Sequence, residues 1–135
     1  MNEQTTETCL VAVKRNGWAL EYVEEQTPEL CMAAVQKDGY ALGYVKEQTP
    51  EMCMIAVRQD GCILDCVKEQ TSELCAVAVQ QSGYALNYVR ELTPELCAMV
   101  IRKYGSISDF INNPKTYVEV SKYISLPKIP TMSIF

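Results

Sequence analysis

The chain has no histidine, one tryptophan and two phenylalanines among its 135 residues. Without histidine a Cys or Ser nucleophile lacks its usual base, and the commonest metal ligand is missing. No two cysteines stand in the two-residue spacing of a zinc knuckle. Each glycine stands alone, so no loop can cradle a phosphate. No stretch approaches the roughly 18 unbroken apolar residues of a membrane span. Residues 1–5, Met-Asn-Glu-Gln-Thr, hold no basic or apolar run, so no export signal is expected. The net charge of −5 disfavours a general binder of nucleic acid or anionic membrane.

What the chain has is one sentence of 22 residues written five times. Thr recurs at 5, 27, 49, 71 and 93, Cys at 9, 31, 53, 75 and 97, and Gly at 17, 39, 61, 83 and 105. A fixed period of this size marks a stacked repeat. In the second copy Thr27 is a natural N-cap, Pro28 fits the first helical position, and Glu29 sits at the positive end of the dipole. Leu30, Cys31, Ala34 and Val35 form a buried stripe. Gly39 is expected to stop the helix as a left-handed residue after its last turn. Tyr40, Ala41, Leu42, Tyr44 and Val45 predict a second, shorter helix. Each unit then reads as a helix–turn–helix too short to stand alone, which predicts an all-α fold, an α-solenoid.

The copies differ at the ends. Thr8 replaces the Leu or Met of later units, giving a wetter first face. The fifth unit keeps its second helix only loosely, and the Cys position at 119 holds Glu. Residues 115–123 predict a capping helix, with a strand as the alternative. The tail to Phe135, with Pro127 and Pro130, reads as extended. The domain expectation is a five-repeat solenoid over 1–111, then a cap and extended tail over 112–135.

The units Glu-Leu-Cys-x-x-Ala-Val followed by Gly-Tyr-Ala-Leu-x-Tyr-Val resemble the repeats of the domain of unknown function 4116, met in giant viruses, bacteria and some protists. Residues 5–111 carry the resemblance. It implies short paired helices and no activity. The third unit departs from it, with Cys62 and Cys66 where other copies mostly have aromatics.

Seven cysteines is a high count. One thiol per unit, about 9–10 Å from the next by helix packing distance, suits small core residues better than disulfides, whose Cα atoms lie within about 7 Å. Reduced thiols point to a cytoplasmic, reducing compartment. Cys62 and Cys66 at i, i+4 would share a face of a helix. They are read as replacing an aromatic pair rather than holding a metal, and no cofactor is expected. Trp18, Tyr40 and Tyr84 occupy one repeat position; Tyr22, Tyr44, Tyr88 and Phe110 occupy another one turn later. Stacked, these rings form a ladder that either fills space between units or contacts a partner. Glu51 and Glu73 recur at helix starts and Glu47 and Glu69 at the preceding helix ends, together an acidic ridge along one edge, explicable by capping and solvation or as a surface for a basic partner. The dipole keeps such carboxylates ionised, the wrong tuning for a general acid.

The expectation is therefore a non-catalytic protein–protein interaction module, neither an enzyme nor a direct nucleic-acid or membrane binder, monomeric or weakly self-associating. Its partner-binding candidates are Trp18, Tyr40, Tyr44, Tyr84, Tyr88, Glu47, Glu51, Glu69 and Glu73. The alternative is a small acidic inhibitor, viral or from a mobile element, blocking a basic nucleic-acid-handling host protein.

Overall fold

A computed structural model describes residues 5–126. Five α-helices alternate with 3-10 helices and a sixth α-helix closes the series. Unit 1 pairs α1 (Thr6–Arg15) with Gly17–Tyr22. Unit 2 pairs α2 (Pro28–Lys37) with Gly39–Tyr44, and unit 3 pairs α3 (Pro50–Gln59) with Gly61–Cys66. Unit 4 pairs α4 (Ser72–Gln81) with Gly83–Tyr88, and unit 5 pairs α5 (Pro94–Tyr104) with the short Ser108–Phe110. The last helix, α6, is Pro114–Ser121. Successive units pack on one another, and no strand occurs among the described residues. The chain is the all-α repeat stack its period predicts. The expected extended tail falls mostly on residues 127–135, outside the described residues.

The first helix of each unit forms for the predicted reasons. Thr27, Thr49, Thr71 and Thr93 each accept through Oγ1 from the backbone N–H three residues on, at 3.1–3.3 Å. The stripe Leu30, Cys31, Ala34 and Val35 is buried, as are its counterparts in units 3 and 4. Leu42, Leu64 and Leu86 are fully buried on the 3-10 segments.

Two local expectations are corrected. The second helix is 3-10, not α, so positions i and i+3 share a face. Gly39, Leu42 and Val45 accordingly form its buried line. Six residues at about 2 Å rise return across most of the length of a ten-residue α-helix at about 1.5 Å. Nor does Gly39 stop α2 in a left-handed conformation. Asp38 ends it with extended backbone (φ −152°, ψ 113°) and caps the next segment, its Oδ1 accepting from Tyr40 N–H at 3.0 Å. Glycine is needed at this repeat position for space: a Cβ on Gly17 would lie 2.5 Å from the Ala34 carbonyl oxygen, and one on Gly61 would collide with the Ala78 carbonyl. Only Gly105 has positive φ (80°) among the described residues. There Tyr104 stands where other units have Asn, Asp or Ser, so no short polar cap starts a 3-10 turn and α5 ends through glycine instead.

The cap is helix α6, which settles the helix-or-strand alternative. It restarts the repeat two residues early. Asn113-Pro114 stands for Thr-Pro, with Asn113 Oδ1 accepting from Thr116 N–H at 2.8 Å. Thr116 and Val120 are buried, and the Tyr123 hydroxyl donates to the Leu92 carbonyl at 3.3 Å.

Leu42→Ala and Leu64→Ala should each cost roughly 2–5 kcal/mol in chemical denaturation. A change under about 0.5 kcal/mol would contradict packing between units. Gly61→Ala should cost at least about 1–3 kcal/mol. Gly43→Ala, whose Cβ would meet only Cys66 Sγ at 3.8 Å, should be neutral or slightly stabilising.

Candidate functional site

Each unit runs out along its α-helix and back along its 3-10 helix, so the stack has two long edges. One gathers helix starts and 3-10 ends; the other gathers helix ends and 3-10 starts. The candidate residues divide between them: Glu47, Glu51, Glu69 and Glu73 lie on the first edge, and Trp18, Tyr40 and Tyr84 on the second. The structure does not unite them in one site.

The first edge is organised by glutamine. Gln48 Nε2 donates to its own unit's Leu42 carbonyl at 3.1 Å and to Cys66 of the next unit at 2.8 Å. Its Oε1 accepts from the Lys68 backbone N–H at 3.0 Å and from the Cys53 thiol at 3.6 Å. Gln26 and Gln70 repeat this set on Tyr44 and Lys46, and on Tyr88 and Arg90. Cations finish the job: Lys68 Nζ donates to the Val45 and Lys46 carbonyls, and the Arg90 guanidinium to those of Val67 and Lys68. At the fourth junction Leu92 replaces the glutamine. Asn87 takes its place, donating to the Phe110 carbonyl at 2.7 Å and accepting from Asn112 N–H at 2.9 Å.

The five cysteines of the ladder are buried, and Cys31, Cys53 and Cys75 lie against the Gln26, Gln48 and Gln70 amides. Burial pushes the thiols of Cys31, Cys53, Cys75 and Cys97 up from their ordinary pKa, and does the same at Cys62 and Cys66. In a 3-10 helix Cys62 and Cys66 lie about 120° apart rather than on one face. Among the described residues no group of three or more cysteine and carboxylate side chains could hold a metal. Glu47, Glu51, Glu69 and Glu73 are exposed, and the only ion pair among the described residues is Lys122–Glu119 at 3.0 Å. Between successive helix starts on this edge open clefts of about 380 Å³ (Cys31 to Met52), 340 Å³ (Cys53 to Leu74) and 520 Å³ (Cys75 to Leu96).

The second edge carries the rings. Trp18, Tyr40 and Tyr84 are 46%, 40% and 47% exposed, while Tyr44 and Tyr88 are half-buried. Trp18 Nε1–H donates to Asp38 Oδ2 at 2.6 Å and the Tyr40 hydroxyl to Asp60 Oδ2 at 2.8 Å, each into the next unit. Each aspartate thus caps its own 3-10 helix with one oxygen and anchors the preceding ring with the other. Trp18 meets Tyr44 edge-on at 5.7 Å and Tyr84 meets Phe110 at 5.0 Å. The rungs therefore join one repeat position to the other position of the following unit. The same register sets Tyr40 with Cys66 and Cys62 with Tyr88, so the two cysteines that replace aromatics interrupt two rungs of the ladder rather than one. The Asp60 bond, then burial and the Asp60 charge, push the Tyr40 hydroxyl up to about 12.

The anchoring aspartates and clamping glutamines are absent from the sequence expectation. Their fixed repeat positions were the available signal.

A family model described as Domain of unknown function (DUF4116) matches residues 6–49 and 27–72, which span units 1–3 and end at the start of unit 4. No curated protein and no solved structure matches the chain. Among the described residues no helix is long and apolar enough to cross a membrane.

Tyr40 gives a pH prediction. Its acid form is the one stabilised by folding, so that contribution is intact below the unfolded value near 10 and fades as pH rises through about 12. The tyrosinate absorbance difference between wild type and Tyr40→Phe should titrate near 12. Asp60→Asn should lower that midpoint; an unchanged midpoint would remove Asp60 as the cause. Gln48→Leu, which strands the Cys66 carbonyl and Lys68 N–H, should cost roughly 2–4 kcal/mol by denaturant unfolding.

Proposed function

We propose that this chain, built from repeats of the family described as Domain of unknown function (DUF4116), is a non-catalytic protein-interaction module that reads its partner along the aromatic edge. The observation that carries the proposal is the fixing of Trp18 and Tyr40 by Asp38 and Asp60 while both rings stay substantially exposed. Large amphipathic rings held in place lose little conformational entropy on binding, which is why such residues dominate protein contacts. Tyr84, braced against Phe110, extends the same edge into the fourth unit. Half-buried Tyr44 meets Trp18 edge-on from the following unit. The thiols support a non-catalytic reading, since burial disfavours the nucleophilic thiolate.

Affinity capture from the native host, compared across wild type, Tyr40→Ala and Tyr84→Ala, tests the proposal. Each variant should lose the captured partner by at least about tenfold, with a smaller loss of folding stability. Full retention of the partner, or unfolding in place of lost binding, would return the rings to a packing role. Capture that survives these changes but collapses with salt, or with neutralisation of Glu47, Glu51, Glu69 and Glu73, would instead favour the acidic-inhibitor reading.

A further inference from the structure

Unit 1 leaves uncovered the face that every later unit buries against its predecessor. Ala34, Ala56, Ala78 and Val100 are completely buried at one repeat position, where Ala12 is exposed. One position earlier Ala33, Ile55, Val77 and Met99 are partly buried, whereas Val11 is 58% exposed. Thr8 is exposed where Leu30, Met52, Leu74 and Leu96 are buried. The opposite end of the stack carries α6, whose buried Thr116 and Val120 face the stack while Val118, Ser121, Lys122 and Tyr123 are exposed.

The charges of α1 are arranged about Val11. Glu7 lies four residues before it and Arg15 four residues after, so both share its helical face, with Lys14 beside Arg15. None of these three forms an ion pair within the described residues.

We propose that the outer face of unit 1 is a two-fold interface with a second copy of this chain, α1 packing antiparallel on α1 of its partner with Val11 at the axis. Four residues span about 6 Å on either side of that axis. The two-fold therefore carries Glu7 onto Arg15 of the partner subunit, and does so twice. It also aligns the two helix dipoles head to tail. The same patch serves both copies, so assembly closes at the dimer. The contact continues, across chains, the face-to-face burial that the four unit junctions make within one chain. One helix face is a small interface, so the association is weak and in exchange.

Sedimentation velocity over a concentration series on the full chain tests this. The expected result is a monomer–dimer equilibrium with nothing larger. Val11→Glu should leave a monomer with unchanged melting, because the side chain is already mostly exposed. Val118→Glu, 55% exposed on α6, should leave the dimer intact. Arg15→Glu should weaken the dimer about tenfold through two like-charge pairs, and adding Glu7→Arg should restore it. A monomer at the highest soluble concentration overturns the proposal. Species beyond the dimer, or sensitivity to Val118→Glu instead of Val11→Glu, assign the contact to the other end and overturn it too. A double variant that fails to recover overturns the antiparallel register.

Discussion

A primary amide that bonds to two repeats at once holds this stack together. A 3-10 helix ends with carbonyls that have no partner within the segment, and a six-residue one has little length over which to recover that loss. Gln26, Gln48 and Gln70 meet the need from the preceding unit. Each donates to a 3-10 carbonyl of its own unit and to one of the next, and accepts a backbone N–H of the next. The lysine or arginine of the following unit takes the remaining carbonyls. An isolated unit would have to leave these groups to water. The segment is 3-10 in the stack because its ends are satisfied by neighbours, and the stability of the chain resides in junctions rather than in units.

The second edge follows from the same shortage of backbone partners. In units 1–4 one residue separates the α-helix from its 3-10 helix, so that residue must end the first and begin the second. Asn16, Asp38 and Asp60 do this with one side-chain oxygen. In the aspartates the other oxygen is left to point at the previous unit, where it fixes Trp18 or Tyr40. A capping requirement thereby sets the orientation of the exposed rings. Ser82 has a single oxygen and makes no side-chain cap; it faces the Cys62 thiol at 4.0 Å. The loss of an aromatic at 62 and of a carboxylate at 82 are two halves of one altered junction.

The parts of this arrangement that were legible in the sequence are local. The Thr caps, the proline at the helix start and the stripe through Leu30, Cys31, Ala34 and Val35 depend on residues three or four apart, and the period itself makes stacking unavoidable. What escaped lies between units. The Gln48 bonds to Cys66 and Lys68, and the Tyr40 bond to Asp60, span 18 to 20 residues, so no local pattern announces them. A Gly-Tyr-Ala-Leu segment is equally readable as a short α-helix or a 3-10 helix, since the difference is set by the groups that receive its ends. The glycine at its start reads as a helix stop, but the constraint comes from a carbonyl in the following unit. On the candidate site, ring and glutamate positions were found and their separation onto two edges was not, because only the antiparallel course of each unit divides them.

The fourth junction shows which feature is indispensable. Leu92 stands where the clamping glutamine belongs and is buried. The Phe110 carbonyl and the Asn112 N–H are nevertheless bonded, by Asn87, from the position that holds Gly43 in unit 2 and Asp65 in unit 3. The residue type, its position and the length of its side chain have all changed, while the two backbone groups that receive it keep their repeat positions. With the amide moved onto the 3-10 helix, the glutamine position is free to be apolar. Its backbone carbonyl then accepts from Tyr123 beyond α6, and α6 itself restarts the repeat two residues early. The end of the array is thus a change of register made possible by relocating one amide. What the fold conserves from junction to junction is the satisfaction of the 3-10 end, and the repeated letters are one way of providing it.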